Sequence, residues 1–417
     1  METAALDWRI KGLPAATTAL SPAELGALGI NLLDGGLMMP AAVIRQAALL
    51  NNIAAMQAFA DQHGAKLCPH GKTSMSPELF AMQLGAGAWG LTAATAHHVR
   101  IYRRLGIRRI LLANQLVGRA DIAFVLEEIA GSPEFDFYCL ADSAEAVDLL
   151  AEAAAAARCP RPVQLLVEIG LAGGRTGART VAGAMAVARR VAAASPLLAL
   201  RGIETFEGVH QTRPTGQAEA GDMLESAAKL TEAALDEDLF APGPVILTAG
   251  GSAFLDLCTA TLPPQLGGRS IERVLRPGCY VTHDNGLYGR LTGGAEARGL
   301  PALAHALEVW GVVLSVPEPG LAVVGVGKRD VSSDVEPPIP LWTCRPGRNS
   351  RPRPTPEVRV VGLWDQHASL ATPHDFLKVG DLVGFGISHP CATFDRWRAL
   401  LTVDDEYFVT GAVTTLF

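Results

Sequence analysis

Charge is scarce in this chain and aromatic rings are scarcer: of 417 residues, 18% are Asp, Glu, Lys or Arg and 6% are Phe, Trp or Tyr. Hydrophobic residues make up 49%. That balance excludes a disordered chain and describes a globular protein of two or three domains with a large core. No run of about 18 apolar residues is free of charge, so no membrane-spanning helix is expected. The start, METAALDWRI, lacks both a basic n-region and an apolar h-region, so no secretory signal is visible. Clusters of Lys and Arg interleaved with aromatics are missing, and the net charge of -7 is dispersed. Nucleic acid is therefore not expected as a partner. The densest basic stretch, CRPGRNSRPRP (344–354), is Pro-rich and reads as a solvated loop. The seven cysteines show no CxxC spacing. They fit a reducing, cytoplasmic setting in which most are small core residues and one or two have chemistry.

What the chain does have is alternation. Between about 36 and 300, short apolar runs alternate with helical patterns. The runs are AKLCPH (65–70), AWGLTA (88–93), RRILLAN (108–114), FDFYCLA (135–141), VQLLVEI (163–169), LRGIETFE (200–207), PVILTAG (244–250) and IERVLRP (271–277). A helix is expected over about 40–63, before the first run. In 118–131, Ile122, Val125, Leu126 and Ile129 recur at helical spacing. SPEL (76–79) offers a Ser N-cap and a Pro at the first helical position. Eight such units in about 250 residues predict an α/β fold, a (β/α)8 TIM-type barrel over 36–300, with an open doubly wound sheet as the alternative. After 300 the texture becomes β-rich, as in VWGVVLSVPEPGLAVVGVG (309–327) and LLTVDDEYFVTGAVTTLF (400–417). These predict a C-terminal mainly-β domain over 301–417, joined by residues 1–35.

Chemistry in a barrel collects at the C-terminal strand ends. Those ends carry Lys72, Thr92, Thr95, Gln115, Glu168, Arg175, Glu207 and His210, then TAGGS (248–252) and RPGCYVTHD (276–284). The segment CPHGKTSM (68–75) ends in the Gly-Lys-Thr of a nucleotide loop. A Walker loop, however, needs glycine at position 66, which is Lys66. Phosphate has a better seat after the last two strands, where Gly250, Gly251 and Ser252 open the helical stretch SAFLDLCTATL. A phosphorylated aldehyde held by a lysine needs both features on one rim.

PHGKTSMSPEL, the Arg of GGRTG, TAGGS, RPGCYVTHD and the late SHPCATFDRW together resemble the D-serine dehydratase / D-threonine aldolase family, fold-type III pyridoxal-phosphate enzymes with an alanine-racemase-like barrel. The resemblance covers roughly 36–417. It implies that Lys72 holds pyridoxal 5'-phosphate covalently, that Arg175 lies near the cofactor's phenolic oxygen and His210 near its ring, and that Gly250, Gly251, Ser252, Gly278 and Tyr280 hold its phosphate. Glu168 stands where alanine racemases often have a lysine.

His389 and Cys391, two apart in ISHPCATF, fall on one side of an extended chain, and imidazole plus thiolate suits Zn2+. Such a pair by itself also fits unrelated core and loop. The resemblance assigns these positions to a divalent metal, Zn2+ or another such as Mn2+. It further implies a homodimer and a small-molecule D-amino acid substrate. The expected activity is dehydration of a D-3-hydroxy amino acid such as D-serine to a 2-oxo acid and ammonia. The alternatives are retro-aldol cleavage to glycine and an aldehyde, and a non-catalytic pyridoxal-phosphate carrier.

Overall fold

The eight expected strands form one parallel sheet. The computed structural model describes residues 5–15, 19–292 and 298–417, so residues 1–4 and 16–18 of the N-terminal stretch expected to join the β domain lie outside the described residues. The chain's first strand, β1 (Ala41–Arg45), belongs to the second sheet. The barrel strands are β2 (Lys66–Leu67), β3 (Leu91–Ala93), β4 (Arg109–Gln115), β5 (Asp136–Ala141), β6 (Val163–Ile169), β7 (Leu198–Thr205) and β8 (Val245–Ala249). The short β9 (Gln265–Leu266) then turns back into the last one, β10 (Arg269–Leu275). The order is β2-β10-β8-β7-β6-β5-β4-β3.

The sheet closes on itself. Leu67 of β2 pairs with Leu275 of β10. Just beyond β2, His70 bridges in parallel to Thr92 of β3. The Trp89 N–H donates to Leu67 O at 2.7 Å and the Thr92 N–H to Pro69 O at 2.8 Å. Closure removes the open-sheet alternative.

Strand periodicity divides the residues between inside and outside. Cys68, Leu111, Tyr138, Leu140, Leu166, Ile246 and Val274 fill the barrel interior. Their neighbours Ile110, Leu112, Leu165 and Val167 pack outward against the helices, together with Ile122, Val125, Leu126 and Ile129 of the helix Arg119–Gly131. Ser76 caps the helix Pro77–Gly85 as expected, accepting from the Leu79 N–H.

The helix expected from about residue 40 begins at Gln46. The residues before it, AAVIR, are apolar on both faces and suit a central strand. β1 takes that place, antiparallel to β11 (Leu307–Glu318) and parallel to β18 (Ala399–Val403). The second sheet also contains β12 (Leu321–Val324), β13 (Ile339–Cys344), β14 (Arg353–Pro354), β15 (Arg359–Leu363), β16 (Ala368–Ala371), β17 (Leu382–Gly386) and β19 (Val409–Thr414). One face of this sheet buries Val309, Val383 and Phe385. The other packs Trp310, Leu382 and Leu401 against Leu6, Leu13, Leu25 and Leu33 of the N-terminal stretch. Among the described residues, no helix is long and apolar enough to cross a membrane.

Candidate active site

Lys72 sits in a single 3-10 turn, Gly71–Thr73, directly after β2. The turn lies tight on the ring of Tyr102, where a side chain at position 71 would collide. Lys72 opens into a cavity of about 240 Å3 at the barrel mouth, shared with His70, Glu168, Arg175, Glu204, Phe206 and Arg276. Four larger grooves, of about 370, 530, 610 and 690 Å3, do not contain Lys72. The smaller cavity holds the reactive side chains, and chemistry rather than size marks it as the candidate.

The floor of the mouth is ionic. Arg276 and Glu204 form a buried pair, and Arg276 also donates to Thr205 O at 3.0 Å. Burial lifts the Glu204 carboxyl to about 7 against the pull of Arg276, with Glu168 and Glu207 adding repulsion. Glu168 accepts from Gln115 Nε2 at 2.6 Å and from Thr176 Oγ1 at 2.9 Å. The Arg175 guanidinium lies 4.6 Å from the Phe206 ring centroid. Burial, with Lys72 and Arg276 nearby, keeps His70 neutral well below its ordinary range.

Glu204 Oε2, Arg276 Nε and His70 Nδ1 are buried without a hydrogen-bond partner among the described residues. Unpaired buried polar atoms cost about 1–3 kcal/mol each, so a mouth with three of them suits a polar guest. These atoms and the Lys72 amine fit the amine-linked ring end of pyridoxal phosphate.

The expected phosphate loop is differently occupied. Glu207 accepts from the Gly250 N–H at 2.9 Å and from the Gly251 N–H at 2.8 Å. The helix after them begins at Leu255, not at Ser252, so the loop lacks the expected helix N-terminus. Gly250 has φ +98, which requires glycine. Two successive N–H groups thus converge on an anion here, and it is the protein's own carboxylate.

The remaining expected residues disperse. His210 is buried with Nδ1 2.7 Å from Glu219 Oε2, and it lines a separate groove beside Ile169 and Arg213. Phe206, four residues earlier, is the member of that segment that faces Lys72. Tyr280 is buried in the helix-packed core, with its hydroxyl 2.9 Å from Gln83 Nε2. Gly278 presses against Thr73 and His70, where a Cβ would clash with the Thr73 hydroxyl.

A second cluster lies beside that contact. One ligand atom each from Cys279, His389 and Cys391 falls within 4.8 Å of the others, and the two sulfurs are 3.7 Å apart. The chain here is not extended, since Cys391 opens the helical turn Cys391–Phe394. Ser332 and Thr393 fix the loop instead, with Ser332 Oγ accepting from the His389 N–H at 3.1 Å and Thr393 Oγ1 donating to His389 O at 3.1 Å. His389 Nδ1 is 2.6 Å from Asp334 Oδ2, which leaves Nε2 for a metal. Burial opposes charge on His389, but hydrogen bonding with Cys391 and Asp334 outweighs it and lifts the imidazole to about 9. Cys391 is held well below the usual thiol range by the hydrogen bond from Cys279, and then by His389 and Thr73, against burial. Cys279 is pushed up correspondingly, by Cys391 first and burial second. Sulfur and imidazole donors at this spacing suit a divalent metal.

Sequence reasoning missed Cys279, Asp334, Glu204, Phe206 and Arg276 as site residues. Cys279 and Arg276 stood within the quoted RPGCYVTHD, but nothing local says that Cys279 meets a cysteine 112 residues away.

Comparison with known proteins agrees with this architecture. Residues 44–259 match the alanine racemase N-terminal domain family, and 306–403 match a putative serine dehydratase domain. The chain belongs to the alanine racemase N-terminal domain family. Within it, the two domains together place the chain with the D-serine dehydratase / D-threonine aldolase group of fold-type III pyridoxal-phosphate enzymes. A D-threonine aldolase of Arthrobacter sp is 27% identical over 302 residues, covering 72% of this chain and 74% of the relative. A D-threo-3-hydroxyaspartate dehydratase of Delftia sp is 42% identical over 74 residues, 18% of this chain and 20% of the relative. The crystal structure of a D-threonine aldolase from Filomicrobium marinum shares the fold with TM-score 0.76 at 24% identity, over 93% of this chain and 97% of that one.

Proposed function

We propose that the protein is a pyridoxal-phosphate- and divalent-metal-dependent lyase that dehydrates a D-3-hydroxy amino acid of the D-serine type to a 2-oxo acid and ammonia. One observation carries the reading: Cys391 Sγ lies 3.3 Å from Thr73 Oγ1, and Thr73 follows Lys72. The lysine turn and the sulfur–imidazole cluster therefore share one mouth within a single chain. Relatives of both names act, by those names, on D-3-hydroxy amino acids.

Pyridoxal phosphate, when bound, supplies the electron sink for breaking a bond at Cα, and the metal supplies Lewis acidity toward the β-oxygen. The chain's own residues do the rest. Lys72 Nζ would anchor the cofactor, and its amine would accept the Cα proton. Arg276, bridged to Glu204, fixes the ionic floor. Phe206 and Arg175 form the wall. Glu168, also at the mouth, is held in place by Gln115 and Thr176. His389 and Cys391 would hold the metal, with Asp334 fixing the imidazole. The same reading carries a cytoplasmic homodimer, in keeping with seven unpaired cysteines. A fully active monomer in sedimentation would contradict the dimer.

The second reading is retro-aldol cleavage, favoured by the D-threonine aldolase that matches 72% of the chain. The cysteine beside His389, Cys391, resembles the dehydratase side of the family and favours dehydration instead. D-Threonine separates the two, because dehydration gives 2-oxobutanoate and ammonia while cleavage gives glycine and acetaldehyde. The expected product is the oxo acid, from D-serine faster than from D-threonine, with no turnover of L-isomers. Glycine as the main product would overturn dehydration.

A further inference from the structure

We infer that Cys279 is a third protein ligand, completing a Cys–His–Cys site that selects zinc, joins the barrel to the β domain, and leaves one coordination position for the substrate. This rests on the metal-dependent reading above and adds to it the coordination set, the identity of the ion and a structural role.

Geometry comes first. Two sulfurs each about 2.3 Å from a tetrahedral zinc lie about 3.8 Å apart. The Cys279 and Cys391 sulfurs are 3.7 Å apart, and the His389 ligand atom falls within 4.8 Å of both. The Cys279 side chain is well fixed. It is buried and opens the 3-10 turn Cys279–Val281, and its carbonyl accepts from the His283 N–H at 2.8 Å.

Chemistry then chooses the ion. Two thiolates and an imidazole are a soft to borderline set, suited to Zn2+, whereas Mn2+ and Mg2+ favour carboxylate and water oxygens. Three protein ligands with one place left over is the pattern of catalytic zinc, while a fourth would close the site. Asp334 engages His389 Nδ1 and so orients the imidazole ligand. On binding, the Cys279 thiol gives its proton to solvent.

Position supplies the structural role. Cys279 follows β10 on the barrel rim, whereas His389 and Cys391 follow β17 in the second sheet. One ion would tie the two together, and metal loading would then raise the thermal midpoint of the whole chain.

The test reads the metal directly. Zinc-edge X-ray absorption on the wild-type holoenzyme should show two sulfur scatterers per zinc. Cys279→Ser should halve the thiolate-to-metal charge-transfer absorbance of the cobalt-loaded protein. It should also weaken zinc at least about 100-fold in competition with a chromophoric chelator, and remove most of the metal-dependent rise in thermal midpoint. One sulfur scatterer in wild type overturns the proposal even if the variant does not fold. So does a Cys279–Cys391 disulfide in the zinc-loaded protein as purified, or preferential binding of Mn2+. If one sulfur is found and chelation still abolishes turnover, the third ligand falls while metal dependence stands. If no metal binds, both fall.

Discussion

The Thr73 hydroxyl lies 3.3 Å from the Cys391 sulfur across 318 residues of sequence. Thr73 belongs to the turn that presents Lys72, and Cys391 begins the helical turn after β17. The contact ties the turn that presents Lys72 to the sulfur–imidazole cluster within a single chain. Disturbing either side should therefore be felt at the other.

Lys72→Ala should fold and lose the absorbance of lysine-held pyridoxal phosphate. Incubating wild type and variant with the cofactor and then gel-filtering them compares the two. A wild-type protein that stays colourless would remove the cofactor from the scheme.

Gly278→Ala tests the close approach between the β10 rim and the lysine turn. A Cβ there would strike the Thr73 hydroxyl and crowd His70 Cβ at 3.1 Å. Relief of that overlap should cost about 1–3 kcal/mol of stability and lower both cofactor and zinc occupancy. Urea denaturation and metal analysis measure this, and unchanged values in both would refute the coupling.

Asp334→Asn keeps the shape of the side chain but removes the charge held 2.6 Å from His389 Nδ1. Metal affinity should fall about 10–100-fold with little change in folding, as is usual when the partner of a ligating histidine is weakened. Competition against a chromophoric chelator reads the affinity. An unaltered constant would show that Asp334 does not orient the imidazole.

His283 and His305 stack with ring centroids 5.0 Å apart and planes within 5°. Burial first, and then the neighbouring His305, lowers His283 from 6.5 to about 4. Since the folded state binds this proton less well than the unfolded chain, stability is intact above about pH 6.5 and falls as pH drops toward 4. The loss from this group is on the order of 3 kcal/mol at most. His283→Asn suits the left-handed backbone there, φ 51, and should flatten the pH dependence in that window. Equal slopes for variant and wild type between pH 7 and 4.5 would refute the assignment.

The barrel was legible because strand and helix leave local signatures. VQLLVEI at 163–169 coincides with β6, and the other seven runs overlap their strands. The spacing of Ile122, Val125, Leu126 and Ile129 is visible for the same reason. β1 was read as helix because AAVIR followed directly by a true helix offers no local break. Its strand state is set by β11 and β18, more than 250 residues later.

The sequence by itself determined the periodic elements, the lysine after the first barrel strand and the His-x-Cys pair, since each is written within a few adjacent residues. Only the tertiary structure decided which side chains share the mouth. It placed Phe206 rather than His210 beside Lys72 and put the Glu207 carboxylate on the Gly250 and Gly251 amides. It also brought Cys279 to Cys391. The physical reason is range: backbone propensity and hydrophobic period act over one or two turns, whereas a thiol–thiol distance is fixed by barrel closure and by the packing of two sheets, which no short window of sequence contains.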